Sequence, residues 1–297
     1  MKKKVKSISL VLGSGGARGY AHIGVIEELL EQNYNIASIA GASMGALIGG
    51  LYACGKLPEY KEWVLGLDIL DIARLLDFSF LTSGMIQGDK VFNKIQEMIG
   101  NVNIEDLPIK YTAVATDLVK QKEVWIQQGN LLDAIRASVA IPTLFTPKKI
   151  SNRYLIDGGV LNPLPIAPTI SDDTDMTIAV NLNANNAKKY IIEVPKTELE
   201  KENRFKEMFF ELKQKAQRFF DNESPSEFDE MNMFAIVGKT IDIMQNSLLE
   251  CKMAGYSPDI MLNISNNACD FYEFNRAYEM IELGRITAKD KLRDIEP

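Results

Sequence analysis

The chain is 297 residues long, 46% hydrophobic and 25% charged, enough to bury a sizeable α/β core and too apolar to be disordered over most of its length. Its 33 basic and 40 acidic side chains leave a net charge of -7, which argues against the basic footprint of a nucleic-acid-binding domain. The three cysteines, Cys54, Cys251 and Cys269, are odd in number and widely spaced, so neither a disulfide framework nor a zinc site is expected, and they read as buried thiols of a reducing cytosol.

Residues 1–6 are basic and residues 7–12 apolar, a superficial imitation of a signal peptide. The apolar run is too short and no small-residue cleavage site follows, so its alternating, β-branched character predicts a first strand instead. No apolar run approaches the roughly 20 residues that span a bilayer. The expected location is therefore the cytoplasm, with peripheral contact at a membrane surface as the most that the chain would make.

The first strand runs directly into Gly13-Ser14-Gly15-Gly16-Ala17-Arg18-Gly19, after which residues 20–30 have helical spacing. The loop lacks the Gly-Lys-Ser/Thr of a P-loop, and Arg18 stands where a Rossmann pattern needs its last glycine. What remains is a run of backbone N–H groups at a helix N-terminus, an anion-binding nest. An oxyanion held by Gly15, Gly16 and the backbone or guanidinium of Arg18 would use it.

A second strand at residues 37–40 leads into Gly41-Ala42-Ser43-Met44-Gly45 and a helix that ends near Cys54-Gly55. Gly-x-Ser-x-Gly between a strand and a helix has the form of a nucleophile elbow, with Ser43 on the turn. Gly41 and Gly45 let the chain fold tightly and leave room for a substrate. The competing reading is a tight turn kept for packing alone.

Residues 58–100 look mostly helical, with Trp63, Leu67, Ile69, Leu70, Ile72, Leu75 and Leu76 on apolar faces and a break at Thr82-Ser83-Gly84. Residues 111–116 are near-continuously apolar and predict a central strand; 123–127 predict another, and 131–139 a helix. Residues 154–157 read as a strand, expected to be parallel, that ends in Asp157-Gly158-Gly159. Further strands are expected at 176–182 and, as the last, 259–264. Strands alternating with helices imply a largely parallel sheet covered on both faces. Between the last two strands the composition turns polar and Lys/Glu-rich. Phe205, Met208, Phe209, Leu212, Ala216, Phe219 and Phe220 then form one helical stripe, suited to packing on the sheet or to a lipid-contacting cap. Residues 228–254 also read as helix, with core packing expected.

A serine nucleophile needs a base, and the chain has one histidine, His22. It sits among Ala21, Ile23 and Val25 and precedes the serine, whereas hydrolases of the Ser-Asp/Glu-His order place histidine last, so a structural role is expected. Asp157 is the better candidate because it ends a strand and is followed by Gly158 and Gly159, which leave space for serine and substrate. A free carboxylate near pKa 3.9 is a poor base, so the site would have to desolvate Asp157. Capping of its own turn is the competing role for Asp157. No cluster has metal-ligand spacing, and neither a metal nor a cofactor is expected.

Taken in order, Gly13-Ser-Gly-Gly-Ala-Arg-Gly19 with His22-Ile-Gly-Val, then Gly41-Ala-Ser-Met-Gly45, then Asp157-Gly-Gly159 resemble the bacterial patatin-like phospholipase family. Ala115-Thr-Asp-Leu118 and Ala137-Ser-Val-Ala-Ile-Pro142 match its intervening segments, so the resemblance covers about residues 7–182. It implies a three-layer α/β/α fold, a Ser43-Asp157 dyad, an oxyanion motif on residues 14–19 and hydrolysis of lipid or fatty-acyl esters. Ser14 departs from the family pattern, which has glycine there. The expected organisation is one patatin-like domain over residues 1–297, with a core at about 7–182 plus the last strand near 259–264. A helical cap or lid-like insertion is expected at about 185–255. An acyltransferase using the same serine, or an idle lipid- or anion-binding regulator, would be compatible with the same motifs.

Overall fold

In β1 (Ser7–Leu12) the strand pleat sends alternate side chains to opposite faces. Ile8, Leu10 and Leu12 enter one core and Val11 another; in β7 (Met176–Ala184), Ile178, Val180 and Leu182 separate from Ala179 in the same way. A sheet built from such strands has to be covered twice, and it is. The larger core is closed by α1 (Ala21–Glu31), α2 (Met44–Ala53), α3 (Leu57–Gly66), α4 (Asp89–Ile99), α5 (Leu131–Ser138) and α7 (Ala277–Arg293). The smaller core is closed by Leu164, Ile166 and the inner face of α6 (Met233–Met253), giving three α/β/α layers. The computed structural model describes residues 5–68, 71–72, 75, 89–142, 144–195 and 233–293. The expected break at Thr82–Gly84 and the aromatic stripe from Phe205 to Phe220 lie outside the described residues.

The sheet has eight strands in the order β5 (Lys148–Ile150), β6 (Arg153–Asp157), β3 (Lys110–Asp117), β2 (Asn35–Ala42), β1, β7 and β8 (Ile260–Ser265), with β4 (Lys122–Ile126) also paired to β3. The β3-β2-β1-β7-β8 part is parallel, while β4, β5 and β6 run antiparallel to their partners. Asp157 was expected to end a parallel strand; it ends an antiparallel one, because β5 and β6 form a hairpin through Ser151 and Asn152, both at positive φ.

Two elements escape the sequence reading. β5 is three residues long and carries two lysines, too short and too charged to register as a strand. The helix α7 follows the last strand and packs lengthwise on α1. Any side chain at Gly24 would collide with the Ile281 carbonyl, and any at Gly284 with the Ala21 carbonyl. Its buried Met280, Ile281, Gly284, Ala288 and Leu292 carry the helical spacing that could have revealed it.

Two expectations are corrected. Cys251 is exposed on α6, and Cys54, the C-cap of α2, packs against the larger core while staying partly exposed; only Cys269 is buried. Helix α6 supplies Leu249 and Met253 to the smaller core but leaves Ile236, Ile243 and Met244 exposed, since it lies on the sheet surface rather than within it. Among the described residues, no helix is long and apolar enough to cross a membrane.

Candidate active site

Strand β3 has two edges, and along one of them two other strands meet end to end. β4 occupies one edge from Ala113 to Asp117. On the other, β2 pairs up to Ala42 opposite Val114, and β6, arriving from the opposite direction, begins its pairing with Asp157 opposite Ala115. The two ladders abut with no residue of β3 between them. Ser43 leaves β2 where Asp157 comes in.

Ser43 makes its turn at φ 55° and ψ -125°, a conformation that strains a residue with a side chain. Glycines on either side permit it. A Cβ on Gly41 would come within 2.5 Å of the Gly45 carbonyl carbon, and any side chain on Gly45 would strike the Leu12 carbonyl. Serine at a helix N-cap normally spends its hydroxyl on the first turn of the helix. Here it does not: Ser43 caps α2 with no side-chain hydrogen bond, and its buried Oγ has no partner.

Where the two ladders meet, backbone groups need other partners. Ser138, at the end of α5, supplies them. Its hydroxyl donates to the Val114 carbonyl at 2.5 Å and accepts the Ser43 N–H at 3.0 Å, which ties the elbow to β3. Ser138 lay in a segment that resembled the family, but no chemistry in the sequence singled it out.

Asp157 is 4% exposed. Its backbone N–H donates to the Ala140 carbonyl at 3.0 Å, and Oδ1 accepts the Gly159 N–H at 2.6 Å. The turn-capping role and the candidate basic role therefore divide between the two oxygens: Oδ1 caps, and Oδ2 is buried without a partner. Burial pushes the carboxyl up to about 7, against the pull of the Ser43 hydroxyl and the Gly159 N–H. The Ser43 hydroxyl pulls on the carboxyl although no hydrogen bond between them is closed, a looseness common at unliganded acid-base sites. Gly158 could carry no side chain without striking the Val114 carbonyl.

The glycine loop presses on the elbow: any side chain at Gly19 would collide with Met44. Gly16 sits at φ +56° and a Cβ on Gly15 would come within 2.6 Å of Leu182. Among the described residues, the N–H groups of Ser14 and Ala17 find carbonyl acceptors at Pro163 and Phe271, while those of Gly15 and Gly16 have none. These two are donors available to an anion. The guanidinium alternative for Arg18 falls away. Its side chain is fully buried and spent elsewhere, on Asp242 at 2.5 Å, Asn183 at 2.9 Å and the carbonyls of Asn266 and Cys269. Only its backbone is left for an oxyanion.

His22 is fully buried, with Nε2 2.8 Å from the Gly13 carbonyl. Burial pushes its imidazole down to about 4, so it is neutral at physiological pH and pins the loop to α1.

An apolar pocket opens on Ser43. Met44, Leu47, Val139, Ile141, Phe92 and Ile95 line it together with Tyr20, Tyr60 and Trp63. Leu67, Ile72 and Leu75, assigned to apolar faces from sequence, line it as well.

Comparison with known proteins gives concordant results. Residues 10–170 match the family model described as patatin-like phospholipase. An uncharacterized NTE family protein of Mycobacterium tuberculosis is 38% identical over 97% of this chain and 92% of its own length. The neuropathy target esterase of Drosophila persimilis is 35% identical over 54% of this chain and 12% of its own. Among solved structures, VipD from Legionella pneumophila aligns over 97% of this chain and 67% of its own with a TM-score of 0.43 and 14% identity, too loose a likeness to add weight.

Proposed function

We propose that this chain, which belongs to the patatin-like phospholipase family, hydrolyses lipid acyl esters by a two-residue mechanism. Ser43 attacks the ester carbonyl while Asp157 takes the hydroxyl proton through Oδ2. The tetrahedral oxyanion is held by the Gly15 and Gly16 N–H groups and the Arg18 backbone. Collapse releases the alcohol, which leaves with the proton from Asp157, and an acyl-Ser43 ester remains. Asp157 then takes a proton from water, whose oxygen displaces the acyl group as a fatty acid, and the proton returns to Ser43. No cofactor enters these steps.

One observation carries the reading. A buried, strained serine hydroxyl that lines an apolar pocket and a buried carboxylate that feels that hydroxyl each keep one oxygen without a partner. A serine kept only for packing would cap its helix, and a carboxylate kept only for the turn would not need burial that raises its pKa to about 7. The walls around Ser43 suit an acyl chain, consistent with a lipid ester as substrate. We read the chain as one catalytic domain, with residues 185–255 inserted ahead of the last strand.

The test is labelling by a fluorophosphonate together with hydrolysis of p-nitrophenyl butyrate and of a lysophospholipid. Wild-type protein should be labelled and active, and Ser43→Ala should be neither. Turnover that persists in Ser43→Ala would remove the serine from the mechanism. Binding of lipid without labelling or turnover would place the protein among regulators instead.

A further inference from the structure

The helix α6 touches the proposed machinery with three polar side chains. Gln245, 3% exposed, donates through Nε2 to the Ser14 hydroxyl at 3.0 Å and accepts through Oε1 from Asn183 Nδ2 at 2.9 Å. Asn183 also donates to the Ser14 carbonyl at 3.2 Å. One turn earlier, Asp242 holds the buried Arg18 guanidinium. Near the end of the helix, Lys252 pairs with Glu123 at 2.8 Å, and Glu123 accepts at 2.7 Å from Asn162, whose own N–H binds the Gly158 carbonyl. The helix is thus fastened to both ends of the oxyanion loop and to the turn that follows Asp157.

Gln245 sits where these parts converge. A Cβ on Gly159 would lie within 2.5 Å of both Gln245 Nε2 and Ser14 Oγ, so the amide is wedged between the loop and the turn that holds Asp157 Oδ1. The departure at Ser14 acquires a physical meaning here. A glycine at that position has no hydroxyl, and the Gln245 amide would lose its acceptor in a site closed to water.

We propose that Gln245 and Asp242 are positioning residues: α6 sets the oxyanion loop relative to Ser43 through Gln245–Ser14 and Asp242–Arg18, and Ser14 is the loop's receptor for the helix. The proposal rests on the hydrolase reading given above. Neither residue touches the reacting atoms. Both act through the Gly15 and Gly16 amides, whose placement matters only once charge develops on the carbonyl oxygen. Their loss should therefore lower kcat and leave KM and the pH profile in place.

The experiment uses the full chain with Gln245→Leu, Ser14→Gly, their double variant, and Ser43→Ala as control. It measures p-nitrophenyl butyrate turnover against pH and amide hydrogen exchange of residues 13–19. Ser14→Gly restores the family's own residue and so is a variant expected to fold. Each single variant should lose about tenfold to a hundredfold in kcat with KM within about threefold, less than the roughly hundredfold to thousandfold that outright loss of an oxyanion donor costs, because the donors stay and only their placement loosens. The apparent pKa near 7 should stay, and exchange in the loop should quicken. The double variant should be no slower than the worse single one, because both remove the same bond. Unchanged exchange, faster exchange with unchanged kcat, or losses that multiply in the double variant would each overturn the proposal. Turnover that survives Ser43→Ala overturns the hydrolase reading separately, and the exchange measurements still decide whether Gln245 holds the loop.

Discussion

Ser43 and Asp157 meet along a single edge of β3, where β2 stops opposite Val114 and β6 stops opposite Ala115. Neither residue is carried out on a long loop. Asp157 is the last residue of β6 and Ser43 directly follows the last residue of β2, and the two strand ends abut, so the sheet itself sets their separation. The structure thereby pre-organises two groups that are 114 positions apart in the chain.

The first prediction concerns pH. The base is competent only when deprotonated, so kcat/KM for a short-chain ester should fall as pH drops through about 7. Asp157→Asn should lose roughly a hundredfold to ten-thousandfold, with the pH-dependent limb gone. A wild-type profile flat from pH 5 to 9 would exclude Asp157 as the base.

Stability should respond to the same carboxyl in the other direction. Its folded pKa, about 7, lies above the ordinary 3.8, so the folded chain holds an extra proton between these values. Its contribution is therefore complete below about pH 4 and is lost as pH rises through 7. Asp157→Asn should be more stable than wild type at pH 8 by about 4 kcal/mol, with the advantage vanishing near pH 4. Thermal unfolding at the two pH values measures this.

Ser138→Ala removes the hydroxyl that serves both the Val114 carbonyl and the Ser43 N–H. Two buried backbone groups would lose their partner, at a cost of about 1–3 kcal/mol. The strained elbow would also lose a tether, and kcat should fall about tenfold. Denaturant unfolding and steady-state kinetics on one preparation would show whether both effects appear together.

His22→Gln should keep turnover within about threefold, since a glutamine amide can still donate to the Gly13 carbonyl and the neutral imidazole has no part in the proton transfers. If this variant, shown to be folded by circular dichroism, were as dead as Ser43→Ala, the two-residue mechanism would have to be abandoned.

The pocket wall offers a test of substrate class. Val91 lines it from α4 while remaining partly exposed, so Val91→Trp can fill space without crowding the deep core. Displacing about two methylenes of an acyl chain, at roughly 0.8 kcal/mol each, should cut kcat/KM for decanoyl relative to butyryl esters about tenfold. Equal losses on both esters would mean that the chain lies elsewhere.

The parts of this protein written in short, local spacing were legible in the sequence. Strand, glycine loop and helix at residues 7–31 and strand, elbow and helix at residues 35–53 follow from apolar periodicity and from steric needs that few residues but glycine meet. The candidates Ser43 and Asp157 came from the elbow and from the scarcity of histidine. The amphipathic α7 was also written there, in Met280, Ile281, Gly284, Ala288 and Leu292, but glycine interrupts its apolar pattern. What spacing could not convey is which edge of which strand each segment would take. Only the folded sheet put β6 antiparallel against β3, delivered Asp157 to the end of β2, and left the junction that Ser138 fills. Only the packing of α6 made Ser14 an acceptor for Gln245 and took the Arg18 guanidinium away from the site. A sequence determines local backbone preference through each residue's own sterics, whereas partners 24 to 231 positions apart, as in these hydrogen bonds, are chosen only when burial forces the polar groups of the closed core to find one.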